Sequence, residues 1–194
     1  MYQATADHIV PVATTLAKAF DDDPVMSWLF PDAPSRPKRL AGMFEILMRR
    51  HHIVHGEVLV EDSTAGAALW DPPDKWKLPV REQILGMPSL LRVMGSRAFT
   101  GMRALADVEK KHPREPHWYL AVLGTEPASQ GKGIGSALMQ PILDRCDKEG
   151  LPAFLESSKE TNIPFYSRHG FEVTGEIPLG KDGPKVWPMW RTPR

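Results

Sequence analysis

The sequence predicts an α/β fold with a mixed central sheet flanked by helices. Three observations predict it. Residues 56–70 alternate like a hairpin, 117–149 read as a strand running through a glycine-rich turn into an amphipathic helix, and 153–157 form a further strand before a closing pair within 171–190. The chain has 194 residues. That is one domain on a prior of roughly 150 residues per domain, with a core able to bury about 70% of the unfolded surface. Lys plus Arg and Asp plus Glu both number 24. A balanced charge argues against nucleic acid or an anionic membrane as partner, since both call for a basic surplus. Cys146 is the single cysteine, which excludes a disulfide framework and a cysteine-rich zinc site. No secretory signal and no apolar run near 18 residues is present, so a cytoplasmic protein without a membrane span is expected.

The elements follow in order. Ile9, Val12, Leu16 and Phe20 recur at three or four residues and predict a helix from an N-cap at Asp7 to Phe20. Asp21-Asp22-Asp23-Pro24 ends it, and a short segment 25–30 follows. Leu40, Met43, Phe44, Leu47 and Met48 mark a second amphipathic helix ending near His52. Residues 56–62 and 65–70 make the hairpin, with Asp62-Ser63-Thr64 as its turn. Residues 80–112 read as two helical pieces around Gly95. His117 to Gly124 is a buried strand, and a helix runs from Ile134 to about Glu149, with Pro141 expected to bend it and Gly150 to stop it. Ala153 to Ser157 is a strand, Thr161 to Arg168 a short helix, and 171–177 with 186–190 a final antiparallel pair.

A strand entering Gly-x-Gly-x-Gly and then a helix offers free backbone N–H groups at the helix N-terminus, where the helix dipole adds partial positive charge. Glycine lets phosphate oxygens approach those amides. A P-loop is excluded because Lys132 is followed by Gly133, and a dinucleotide fingerprint because Ser136 stands at its third glycine position. Spacing alone therefore indicates a phosphate loop. Gln130-x-x-Gly133-x-Gly135, preceded by Leu123-Gly124-Thr125, resembles the acyl-CoA loop of the GNAT N-acetyltransferase superfamily. Asn162-x-x-Phe165-Tyr166, leading to Gly170-Phe171, is similar to that family's second signature. The resemblance covers roughly residues 113–194.

The resemblance implies a GNAT fold, with strands 117–124 and 153–157 parallel and splayed around the pantetheine of acetyl-CoA. It makes 113–194 the acetyl-CoA half of one domain over 1–194, and 1–112 the acceptor side. Cofactor contacts then fall on Leu123, Gly124, Thr125, Gln130, Gly131, Lys132, Gly133, Ile134, Gly135, Ser136 and Asn162. For Asn162 a helix N-cap is an alternative. A free N–H near Leu123 would polarise the thioester carbonyl, and Tyr166 occupies the position of the acid that protonates the leaving thiolate. Glu156 shares a strand face with Phe154, so it points inward and is a candidate base. A structural carboxylate is the alternative, and His117 and Tyr119 are rival bases.

The acceptor wall is expected around residues 21–31, with Asp23, Trp28, Phe30, Trp70 and Trp118 as candidate contacts. For each aromatic residue the alternative is core packing. His51 and His55 sit at metal-binding spacing beside His52, yet no further ligand completes a motif, so no metal is expected. The expected reaction is acetyl transfer from acetyl-CoA to a primary amine, by direct attack in a ternary complex. The acceptor is expected to be a small molecule, antibiotic-like or otherwise, and the assembly a monomer or homodimer. Acetylation of a protein N-terminus or lysine, or a non-enzymatic acyl-CoA sensor, are the alternatives.

Overall fold

A computed structural model describes residues 1–77 and 79–194. In chain order its elements are β1 (Tyr2–Gln3), α1 (Ile9–Ala19), α2 (Pro24–Leu29), α3 (Arg36–Leu47), a π-helical turn Met48–His52, and α4 (Ile53–His55). There follow β2 (Glu57–Val60), β3 (Gly66–Asp71), α5 (Val80–Met94), α6 (Arg97–Glu109), β4 (Trp118–Thr125) and α7 (Ile134–Glu149). The chain ends with β5 (Ala153–Ser157), α8 (Ile163–Arg168), β6 (Glu172–Val173), β7 (Ile177–Pro178) and β8 (Lys185–Arg191). The sheet order is β1-β2-β3-β4-β5-β8-β6, with β7 also on β8. β4 and β5 run parallel and the other pairs are antiparallel, so the sheet is mixed, as expected.

Most helices match the apolar spacing. Two starts differ from expectation. A 3-10 turn, Ala6–His8, precedes α1, and Thr5 with His8 forms its capping box, so Asp7 lies inside the turn. Segment 25–30 is a helix because Asp23 caps it, accepting from the N–H groups of Val25 and Met26 at 2.9 and 3.0 Å with Pro24 at the first position. α7 continues through Pro141, whose side lies exposed to solvent.

The core lies on both faces of the sheet. β3 is buried at all six residues, as a central strand covered on both sides must be. Ala67 and Leu69 face α1 and α3, while Ala68 and Trp70 face α7. Each large apolar side chain buried this way contributes roughly 1.5–3 kcal/mol. Among the described residues no helix is long and apolar enough to cross a membrane.

An ion pair ties α7 to β8. The buried Arg191 guanidinium donates to both carboxylate oxygens of Asp147 at 2.8 and 2.7 Å and to the carbonyl of His169 at 2.9 Å. The Arg191 hydrogen bonds hold the Asp147 carboxyl below its usual range. That support is therefore complete above the ordinary carboxylate pKa and is lost as pH falls through the lowered folded value. Asp147→Ala leaves a guanidinium 3% exposed without its partner. It should cost about 3 kcal/mol, lowering Tm by roughly 6–12 °C in calorimetry.

Candidate active site

The site begins with a strand pair that stops pairing. β4 and β5 are in register only at Trp118↔Ala153 and Tyr119↔Phe154. The next residues of β4 carry a bulge: Trp70 faces Leu120 and Leu69 faces Val122, so Ala121 has no opposite residue on β3. A bulge bends its strand and increases local twist. β4 therefore swings away from β5, which stays paired to β8 through Ser157. The gap is a cleft of about 530 Å³.

The bulge also sets which amides face the gap. The Trp118 N–H points toward β5 and donates to Pro152, whereas the Glu126 N–H points the other way and donates to Ala65. Alternation along the strand then turns the N–H groups of Leu123 and Thr125 into the cleft, with no sheet partner. Leu123, Gly124 and Thr125 all line it.

The glycine loop closes one end. Gly131 and Gly133 have φ of +77° and +81°, the left-handed region, and a Cβ on either would meet nothing within 4 Å. Gly133 is the N-cap of α7, so the first amides of that helix open onto the loop. Gln130 braces the loop by donating to the Thr125 carbonyl at 3.2 Å, and Lys132 donates to the Ala128 carbonyl at 3.1 Å. Gly135 lets Phe165 pack close, since a Cβ there would lie 3.2 Å from the ring. Gln130, Gly131, Gly133, Ile134, Gly135 and Ser136 line the cleft, as does Asn162. Asn162 stands at the N-cap of α8, is exposed and makes no side-chain cap bond.

Tyr166 lies on α8, buried and lining the cleft. Burial, reinforced by the Asp23 charge, pushes its phenol above the ordinary value, so it keeps its proton at neutral pH. Glu156 enters from β5 with a side chain 7% exposed. Its Oε1 has no hydrogen-bond partner within the protein and lies 3.5 Å from His112 Nδ1. Tyr119 stands beside it, its phenol pushed well up by burial and the Glu156 carboxylate. His112 is a neighbour that the sequence reading missed. Its local context, Lys-Lys-His-Pro, carries no signal, and only the fold brings it over Phe154 at 4.9 Å between ring centroids.

The loop after α1 forms the opposite wall. Asp22 and Asp23 line the cleft, with Asp22 paired to Lys159 at 2.6 Å and Asp23 accepting from the Ser158 hydroxyl. Two links thus tie this loop across the cleft to the segment after β5. The expected aromatic contacts lie elsewhere. Phe30, Trp70 and Trp118 are at most 1% exposed and belong to the core, because their large apolar surfaces fill the sheet's two faces. Trp28 packs half-buried against the β7–β8 ribbon. Of the acceptor candidates only Asp23 reaches the cleft.

The histidine cluster is rearranged. His51 and His52, not His51 and His55, converge on Asp71, at 3.1 and 2.9 Å, and His55 is exposed. Burial pushes the Asp71 carboxyl up, and the two imidazoles outweigh it and leave the group below its usual value. The π-helical turn that carries both histidines is thereby fastened to the end of β3. Cys146 is buried on α7, and burial pushes its thiol up to about 12.

The acetyltransferase (GNAT) family model matches residues 15–171. An uncharacterized N-acetyltransferase of Schizosaccharomyces pombe is 36% identical over 187 residues, covering 90% of this chain and 74% of that one. An L-methionine sulfoximine/L-methionine sulfone acetyltransferase of Salmonella typhimurium is 27% identical over 136 residues, covering 66% of this chain and 72% of that one. A solved structure from Corynebacterium glutamicum, described as histone acetyltransferase HPA2 and related acetyltransferase, superposes over 100% of this chain and 95% of its own, with TM-score 0.73 and 28% identity. By the extent of the family match and of the yeast relative, this chain belongs to the GNAT acetyltransferase family.

Proposed function

We propose that this GNAT acetyltransferase transfers the acetyl group of acetyl-CoA to the primary amine of a small molecule, by direct attack in a ternary complex. The observation that carries the proposal is the opened β4–β5 pair. Its lining includes a glycine loop and helix N-terminus together with Tyr166 and Glu156. The loop suits a pyrophosphate. The unpaired amides of β4 suit the pantetheine arm, and the Leu123 N–H suits the thioester carbonyl. Gln130, Gly131, Lys132, Gly133, Ile134, Gly135, Ser136 and Asn162 bind the CoA end in this reading, with Gly124 and Thr125 beside the arm.

The chemistry follows from the side chains. Glu156 takes a proton from the acceptor ammonium, directly or through one water, and the free amine attacks the carbonyl carbon. The tetrahedral intermediate expels the thiolate as the C–S bond breaks. Tyr166 offers its O–H to that sulfur. A phenol raised above 10 is a weaker acid than a thiol of about 8.5. Its service is therefore the hydrogen bond to the developing thiolate and a relay through its O–H: as the amide forms, the nitrogen's second proton passes to the Tyr166 oxygen while the phenol hydrogen passes to sulfur, so Tyr166 ends neutral and only the proton held by Glu156 remains to be released.

A small acceptor is favoured by the enclosure. The Asp22–Lys159 and Asp23–Ser158 links hold the loop after α1 across the cleft. A related enzyme is named for acting on small amino-acid derivatives. Asp23 supplies negative charge near the place where an ammonium would enter.

The test is release of CoA thiol from acetyl-CoA with a panel of amines: L-methionine sulfone, phenethylamine, agmatine, puromycin and short peptides. Release with a small amine and none with peptides is expected; release with peptides alone would replace the acceptor assignment. Acetyl-CoA binding without release by any amine would favour a sensor. Tyr166→Phe should lower kcat about 100-fold or more, and near-normal kcat with chemistry rate-limiting would remove its role. Glu156→Gln should abolish the acidic limb of the pH–rate profile, while an intact limb would assign the base elsewhere. Gly133→Ala should raise the KM for acetyl-CoA with little change in kcat, because a residue other than glycine strains the left-handed cap by roughly 1–2 kcal/mol.

A further inference from the structure

Converting an ammonium and a thioester into an amide and a thiol frees one proton per turnover. A base enclosed in the cleft must discharge that proton before the next cycle. Glu156 lines the cleft and does not reach the second cavity, about 520 Å³, which lies between the loop after β3 and the segment joining α6 to β4. His112 and His117 line that second cavity and do not line the cleft. His112 touches both sides: its Nδ1 is 3.5 Å from Glu156 Oε1, and its Nε2 is 3.0 Å from His117 Nε2.

The tautomers follow from the partners. His117 Nδ1 lies 2.6 Å from the carbonyl oxygen of Glu115, which only accepts, so Nδ1 carries the hydrogen. A neutral His117 then presents a bare Nε2, and His112 must donate from Nε2 to fill it. A neutral His112 is left with a bare Nδ1 facing the carboxylate of Glu156. That bare nitrogen, 3.5 Å from Oε1, is placed to receive the proton that Glu156 takes up.

We infer that His112 and His117 are relay residues that carry the proton taken by Glu156 out to the second cavity. This rests on the reading of Glu156 as the base. The proton passes from the Glu156 carboxyl to His112 Nδ1. The hydrogen on His112 Nε2 passes to His117 Nε2, and the Nδ1 hydrogen of His117 is released to water in the cavity as its bond to the Glu115 carbonyl opens. Ring reorientation resets the pair with no net change other than one proton exported.

The surroundings suit transit. Trp76 stacks on His112 at 3.7 Å between centroids, and Tyr119 and Phe154 meet it edge-on. Phe154 and Trp190 flank His117. Burial, with the neighbouring His112, pushes His117 down despite the Glu115 carbonyl and Asp74, so it does not trap the proton. Glu156 and Tyr119 face the pair from the strands. Asp74, Lys77, Glu109, Lys110, Arg114 and Glu115 face it from the cavity, with charges of both signs.

The test has two arms. In the first, kcat is measured across pH with the panel amine that the wild-type enzyme turns over fastest. His112→Gln and His117→Gln should lower kcat about 10-fold or more and leave the KM for acetyl-CoA within about twofold. Added imidazole should restore kcat in His117→Ala in proportion to its concentration, which a merely structural role or a misfolded variant would not allow. Wild-type kcat and pH profile in both Gln variants would overturn the relay. In the second, independent of turnover, imidazole resonances of the full-length protein are titrated by NMR. His112 should titrate together with Glu156 in the wild type and lose that coupling in Glu156→Gln; independent titration would also overturn the relay. A wild-type protein that releases no CoA with any amine would sink the proposed reaction, while the NMR arm still decides the coupling of His112 to Glu156.

Discussion

Two parallel strands that pair at only two positions organise this molecule. The bulge at Ala121 bends β4 away from β5 just past the last paired residues, and β5 cannot follow because β8 holds its other edge. An open sheet interior would ordinarily cost several unsatisfied amides, since buried N–H groups without partners are rare. Here those amides line a cleft, where an extended polar ligand can take the place of a strand. The opening also decides which side chains meet. Glu156 from β5, Tyr166 from α8 and Asp23 from the loop after α1 are distant in sequence, and the gap gathers them around one space.

The surrounding packing keeps the gap from collapsing. Trp70, Trp118 and Leu120 press on α7 on one face, and α1 and α3 cover the other. Gly124 sits where a Cβ would lie 2.8 Å from Leu16 and 3.0 Å from Phe20, so α1 approaches β4 closely at the cleft. At the mouth, Asp22–Lys159 and Asp23–Ser158 span the opening. Exposed ion pairs contribute little to stability, so the Asp22–Lys159 link matters for the shape of the mouth more than for folding. Deeper in, Tyr119, Glu156, His112 and His117 form a line of polar groups inside an aromatic wall of Trp76, Phe154 and Trp190. Low local polarity strengthens each charge along it and makes proton placement a structural matter.

Much of this was legible in the residues. Periodicity located the helices and the hairpin, and the order strand, glycine turn, helix, strand placed β4, α7 and β5 within a residue or two. The glycine turn was visible because glycine, unlike other residues, adopts φ near +80° without strain, and Gly131 and Gly133 do so. Period two on β5 correctly turned Glu156 inward. Other features carry no local signature. A two-residue edge strand such as β1 has no alternation to detect. The bulge at Ala121 depends on the register with β3. Phe30, Trp70 and Trp118 were expected at the acceptor wall because an aromatic residue at an element's end reads the same whether it faces a ligand or the core. Burial alone separates the two. His112 acquires its neighbours only through the path of the chain after α6, and His51 and His52 meet Asp71, a residue of β3 that no local pattern links to them.

The most direct measurement is amide hydrogen exchange, residue by residue, with and without acetyl-CoA. The account predicts that the Leu123 and Thr125 amides, which face the unpaired edge of β4, exchange readily in the free protein and slow markedly in the complex, together with the first amides of α7. Saturating acetyl-CoA binding that leaves Leu123 and Thr125 exchanging as before would contradict the placement of the thioester between β4 and β5.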